Sequence, residues 1–202
     1  MKAAFFLGIL LSLCLLQCKA PTSAITDSWT SEETRNAEFE KVLVIAVAKN
    51  AAVRRYYEDH LARQLSGKKV TAVASLDGIP AREKISKETF QKYFSNQNID
   101  AVLVSRPVEV KEMPVFVPGD SGTAEYASFY SYYNRVYGKA PEPGSFGTNT
   151  LIRLETTLFN VHTGQAVYTC KSNSYAHGNG EQVMDELTVR IAKDLKREGF
   201  FK

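Results

Sequence analysis

Apolar and polar positions follow two different periods along this chain, and the switches between them mark its elements. Lys41 to Ala48, KVLVIAVA, is nearly unbroken, apolar and β-branched, which is how a strand covered on both faces reads. Asn50 then offers a helix cap. Val53, Tyr57, Leu61 and Leu65 recur every four residues, while Arg54, Arg55, Glu58, Asp59 and Arg63 occupy the opposite face. That spacing predicts an amphipathic helix over Ala51 to Leu65 with its charges in water, stopped by Gly67. Lys69 to Leu76 reads as a second strand with Val70, Ala72 and Ala74 inward, and Asp77-Gly78-Ile79-Pro80 is turn chemistry. Ser86 begins a second helix through Phe90, Tyr93 and Phe94 that breaks at Asn98-Ile99-Asp100. Ala101 to Val110 gives a third strand, in which Pro107 predicts an edge position or a bend.

Strand, helix, strand, helix, strand implies parallel pairing with right-handed crossovers. The alternation stops after Met113. Thr150 to Val161 and Gln165 to Tyr175 read as a hairpin closed by His162-Thr163-Gly164. Val183, Met184, Leu187, Ile191 and Leu195 stripe a last helix over Asn179 to Lys196. Lys193, Lys196 and Arg197 suit its C-terminal end, and Phe200-Phe201 are placed to tuck back onto the core. The expectation is one α/β domain over residues 39–202, with a mixed five-stranded sheet: βαβαβ, then a β-hairpin and a C-terminal helix.

Residues 115–149 interrupt this plan. Tyr126, Phe129, Tyr130, Tyr132, Tyr133, Tyr137 and Phe146 stand among Gly, Ser and Pro, and five of the chain's ten tyrosines fall between Tyr126 and Tyr137. Ordinary connections have a median of about 4–6 residues, and much longer ones tend to be functional. Tyrosine with Ser and Gly is the vocabulary of adaptable contact surfaces. Tyr126, Phe129, Tyr130, Tyr132, Tyr133 and Tyr137 therefore stand as candidate partner-binding residues. A loop that folds over its own sheet accounts for the same composition.

The first residues carry a different signal. Lys2 precedes a run from Ala3 to Leu16 without a charge, about 14 residues long, against about 20 for a bilayer-spanning helix. A positive start and a short apolar run are the marks of an export signal. It ends at Leu15-Leu16-Gln17-Cys18. This resembles the lipobox of bacterial lipoproteins, in which an apolar residue stands three before an obligatory cysteine. Gln17 departs from it, since the family usually places Gly, Ala or Ser there. The resemblance implies cleavage before Cys18, diacylglycerol on its thiol, and often a fatty acyl group such as palmitate on the new amine. Two or three chains hold a protein stably at a membrane, whereas one does so only marginally. Residues 1–17 are then a signal peptide and 18–38 a flexible polar tether. Lys19 lacks the Asp that retains enteric lipoproteins at the inner membrane, so the resemblance points to the outer one. Trp29, the single tryptophan, suits either a lipid interface or the domain edge.

Composition narrows the chemistry further. The net charge is +3; removing Lys2 with the leader leaves +3 − 1 = +2, too little to argue for nucleic acid. With Cys18 acylated, Cys170 has no partner for an intramolecular disulfide, and a buried thiol is its expected role. Gly119-Asp120-Ser121-Gly122 looks like the GDSG around a trypsin-like nucleophile, but a βαβαβ start does not fit the required double barrel, and a triad is a matter of geometry. His60, His162 and His177 show no metal-ligand spacing. The exit from the first strand, Lys49-Asn50-Ala51-Ala52, lacks the glycines of a dinucleotide or phosphate loop. Glu58-Asp59 and Asp185-Glu186 read as solvated helix faces.

The body, on KVLVIAVAKNAAVRRYYEDHLARQL, IDAVLVSRPVEV, the Tyr-rich stretch and LIRLETTLFNVHTGQAVYT, resembles a family of small bacterial envelope lipoproteins of unknown function. Its layout is also similar to the amino-terminal domain of the TolB protein. The resemblance implies a non-enzymatic domain hung from a membrane, with no catalytic residue, metal or cofactor to carry over beyond the lipid on Cys18. The expected role is an envelope interaction or assembly-accessory domain, whose partners are the bilayer and another envelope protein, met through the aromatic stretch or an exposed sheet edge. A periplasmic small-molecule or glycan binder with the Tyr-rich loop as a lid is the alternative, and an enzyme of unrecognised type the second.

Overall fold

The computed structural model describes residues 22–34, 37–117, 145–176 and 180–201. Six strands form one sheet: β1 (Ser23–Thr30), β2 (Lys41–Ala46), β3 (Thr71–Ala74), β4 (Ala101–Val117), β5 (Ser145–Asn160) and β6 (Ala166–Ala176). Three helices accompany it: α1 (Ala51–Leu65), α2 (Lys87–Phe94) and α3 (Gly180–Arg197). The strand order is β1-β6-β5-β4-β2-β3. β2 lies parallel to both β3 and β4, and the remaining neighbours are antiparallel. The mixed α/β architecture follows the sequence pattern, but the sheet has six strands rather than five.

The added strand comes from within the span expected to be a flexible tether. Ser23–Thr30 pairs with Tyr168–Ser174 of β6 and buries Ser23, while Trp29 stays about half exposed on the sheet's edge (53%). A polar edge strand is held by backbone bonds to its neighbour, so it need not show a strong apolar period. Its start is lashed to α3: Glu186 accepts from the Thr22 backbone N–H at 2.9 Å and from its hydroxyl at 2.7 Å.

The buried run of β2 divides its side chains between two cores, as its continuous apolar pattern requires. Val42, Val44 and Ala46 enter the larger core beneath α1 and α3, with Tyr57, Leu61, Leu65, Leu103, Leu158, Tyr168, Leu187, Ile191 and Leu195. Leu43 and Ile45 enter a smaller core under α2, with Ile79, Phe94 and Ile99. Phe200 and Phe201 do fold back, and the Phe200 ring lies 6.1 Å from Phe39 and 5.9 Å from Tyr168. The caps form as the sequence implies. The Asn50 side chain accepts from the Ala52 and Val53 N–H groups, and Ser86 makes a reciprocal capping box with Thr89.

β4 and β5 are longer than the pattern predicts, pairing from Ala101–Asn160 as far as Val117–Ser145 with a register shift between Pro107 and Glu109. Proline has no N–H to give the ladder, so a bulge there is the expected accommodation. Gly164 closes the β5–β6 hairpin at φ +71°, a left-handed conformation that glycine takes without a Cβ penalty.

Candidate functional site

The unequal lengths of these elements create a large concavity. β2 ends at Ala46, level with Ser105 of β4. β4 and β5 then run on beyond it, paired with each other and, through β5, with β6. Val47 and Ala48, expected within the first strand, leave the sheet instead. Residues from the first turns of α1 and α3 border the concavity, and the loop before α2 closes one side. The result is a cleft of about 1040 Å³, lined among others by Ile45, Val47, Val53, Val110, Ile152, Leu154, Val183, Met184 and Leu187. It lies beyond the carboxyl end of β2, where open α/β sheets characteristically place ligands. Val47 (53%), Val53 (42%), Ile85 (38%) and Val110 (64%) leave apolar surface exposed along its rim.

Val53 was expected on the inward face of α1. It is exposed because the first turn of the helix overhangs the cleft rather than the core. The opposite correction applies to Arg54 and Glu58, expected in water and in fact buried, at 8% and 0% exposure. The Glu58 carboxylate accepts from the Ala46 N–H at 2.9 Å, Arg54 Nε at 2.8 Å, Ser75 Oγ at 2.8 Å and the Leu76 N–H at 3.1 Å. Arg54 also donates to Ser75 Oγ at 2.6 Å. β2 ends at Ala46 and the chain turns at Leu76 just past β3, and the N–H groups there need acceptors. One carboxylate supplies them and clips β2, the end of β3 and α1 together at the base of the cleft.

The other polar groups in the wall are mostly satisfied. Tyr57 donates to Ser105 Oγ at 2.9 Å, and Ser105 in turn bonds Thr156 at 2.9 Å. Burial pushes the Tyr57 phenol up to about 12, so it stays neutral. Glu83 accepts from the Tyr93 hydroxyl at 2.8 Å and lies 3.8 Å from Lys92. Lys49 and Lys84 line the mouth. Ser174 differs: it lines the cleft, is 0% exposed, and its hydroxyl has no hydrogen-bond partner among the described residues.

None of the candidates named from sequence is among the described residues that line the cleft. Cys18 lies outside the described residues, as do Tyr126, Phe129, Tyr130, Tyr132, Tyr133, Tyr137 and Gly119–Gly122. Cys170 is buried in the larger core, where burial pushes its thiol up to about 11. His60 stacks on Tyr56 with centroids 4.0 Å apart and sets Nε2 3.4 Å from Asp185. No group of three or more metal-ligating side chains occurs among the described residues. No described helix is long and apolar enough to cross a membrane. The cleft itself escapes a linear reading because its walls come from six elements far apart in the chain, β2, α1, β4, β5, β6 and α3.

No family model matches the chain, and no curated protein matches it. Among solved structures it is similar to the PelC dodecamer from Paraburkholderia phytofirmans, at 13% identity and a TM-score of 0.47, over 89% of this chain and 99% of that one. It is similar to lipoprotein GNA1162 from Neisseria meningitidis, at 11% identity and a TM-score of 0.41, over 78% of this chain and 99% of that one. It is also similar to hypothetical protein CT253 from Chlamydia trachomatis, at 11% identity and a TM-score of 0.38, over 80% and 97% of the two chains.

Proposed function

We propose that this chain is a lipid-anchored, non-enzymatic binding domain of the bacterial cell envelope. Acyl chains on Cys18 fasten it to a membrane, the outer one on the reading of Lys19, and the cleft receives its partner. The observation that carries the binding role is that cleft. A folded domain rarely leaves a concave aliphatic surface of this size unoccupied in its working state. Its polar groups also support binding over catalysis. Glu58 and Arg54 are committed to each other and to nearby N–H and hydroxyl groups, and the Tyr57 phenol is held neutral, so these groups offer no free acid or base to the cavity. The anchoring rests on the leader, where a charge-free apolar run ends at a cysteine.

The test is fractionation with intact-mass measurement in the native host. Globomycin, or Cys18→Ala, is expected to move the chain from the membrane to the soluble fraction and to remove the acyl mass. Unchanged membrane partition without any acyl mass would overturn the anchoring.

A further inference from the structure

We infer that the cleft binds a free long-chain fatty acid, tail along the aliphatic wall and carboxylate toward the lysines at the mouth. The inference deepens the proposed binding role and rests on it. The walls choose the ligand class. Val53, Ile152, Leu154, Val183 and Leu187 present methyl groups and offer no hydrogen-bond partner along their length. A peptide in that position brings one N–H and one C=O per residue, each costly to leave unpaired. A sugar brings a hydroxyl at nearly every carbon. An acyl chain brings none. At about 1040 Å³ the cleft lies at the upper end of the roughly 300–1,000 Å³ usual for ligand sites, so a long chain fits.

The ends of the cleft choose the head group. Lys49 and Lys84 line it, Arg54 being held by Glu58, and the lining carboxylate, Glu83, is engaged by Tyr93 and Lys92. Residues from the first turns of both α1 and α3 also line it, which brings the positive ends of two helices of 15 and 18 residues to the same space. The hydroxyl of Ser174, fully buried and without a partner among the described residues, is an independent sign that a polar atom belongs in this cavity, because buried hydroxyls are normally satisfied.

The test uses the whole chain in phosphatidylcholine nanodiscs with a diazirine-bearing hexadecanoic acid as photoprobe. After irradiation and proteolysis, label is expected on peptides carrying Ile45–Val53 and Ile152–Leu154. Hexadecanoate should displace the probe at a concentration about tenfold below hexadecanol, as two lysines close to one carboxylate suggest. Shortening the competitor should weaken it by up to about fourfold per methylene. Val53→Glu puts an acid on an exposed position in the first turn of α1, where the helix dipole favours it, so the fold is kept and labelling should fall at least tenfold. Lys49→Gln with Lys84→Gln should bring acid and alcohol to parity. Label spread evenly over the surface, equal competition by hexadecanol in the natural chain, or labelling unchanged by Val53→Glu would each overturn the inference. Membrane partition read on the same samples separates the two claims. Retained partition without cleft labelling removes the fatty acid and leaves the anchor, and the reverse result removes the anchor alone.

Discussion

Glu58→Gln is the sharpest test of how the cleft is built. The change keeps the side chain's size and removes its charge. Three donors converge on Oε1 and one on Oε2, all between 2.8 and 3.1 Å. With the amide oxygen in the place of Oε1, the new NH2 group meets the Leu76 N–H, donor against donor. An unsatisfied buried group of that kind costs about 1–3 kcal/mol. Removing one partner of a buried ion pair costs about 3–5 kcal/mol, because the other charge stays behind. The two figures overlap, since both describe the same lost acceptor, and water reaches the edge of Arg54, which is 8% exposed. The expected loss is therefore about 3 kcal/mol, or roughly 6–12 °C of melting temperature for a domain of this size. Thermal and urea unfolding followed by far-UV circular dichroism measure it. Adding Arg54→Met to Glu58→Gln should recover part of the loss, a coupling of about 1–2 kcal/mol. A loss below about 1 kcal/mol for Glu58→Gln would refute the idea that this carboxylate clips the strand ends.

Other outcomes follow from the same geometry. Tyr57→Phe removes one buried hydroxyl but leaves Ser105 and Thr156 bonded to each other, so unfolding measurements should show a loss of only about 1 kcal/mol. Cys170, with its thiol pushed up to about 11, should react with a thiol reagent at pH 7.5 more than about a hundredfold more slowly than an unfolded cysteine; fast labelling of the native chain would contradict its burial. The Thr22 hydroxyl holds the Glu186 carboxyl below the usual carboxylate range. Its folded value is the depressed one, so its contribution is present above the unfolded glutamate value of about 4.3 and fades as pH falls below it. Glu186→Gln should flatten the stability–pH curve on that acid side and leave the neutral side alone, which urea titrations from pH 3 to 7 would read. Gly164→Ala, at φ +71° with open space around it, should cost about 1–2 kcal/mol through the backbone alone.

Much of the fold was legible because its signals are local. α1 begins at Ala51 and ends at Leu65, as the Asn50 cap and the four-residue spacing imply. The unbroken run after Lys41 places β2 between two cores, and His162-Thr163-Gly164 closes a hairpin. What escaped is long-range. Ser23–Thr30 looks like polar linker because an edge strand's stability lies in its pairing with β6. Glu58 looks solvated on a helical wheel, since the wheel does not show that two strand ends bring their N–H groups to it. Val53 looks buried for the converse reason, because the wheel does not show where the sheet beneath the helix stops. The far ends of β4 and β5 carry Pro107, Pro114 and Gly147, which hide a strand from any reading of local propensity. The cleft exists only where these non-local lengths are compared, so no single motif announces it.

The central claim, that an open aliphatic cleft at the end of β2 is a binding site, is tested most directly by methyl NMR on the full chain in nanodiscs during titration with hexadecanoate. The account predicts saturable shifts at Ile45, Val47, Val53, Val110, Ile152, Leu154 and Leu187, while the packed core at Leu61, Leu103 and Ile191 stays unchanged. Shifts absent from the cleft methyls, or distributed equally over core and surface, would contradict it.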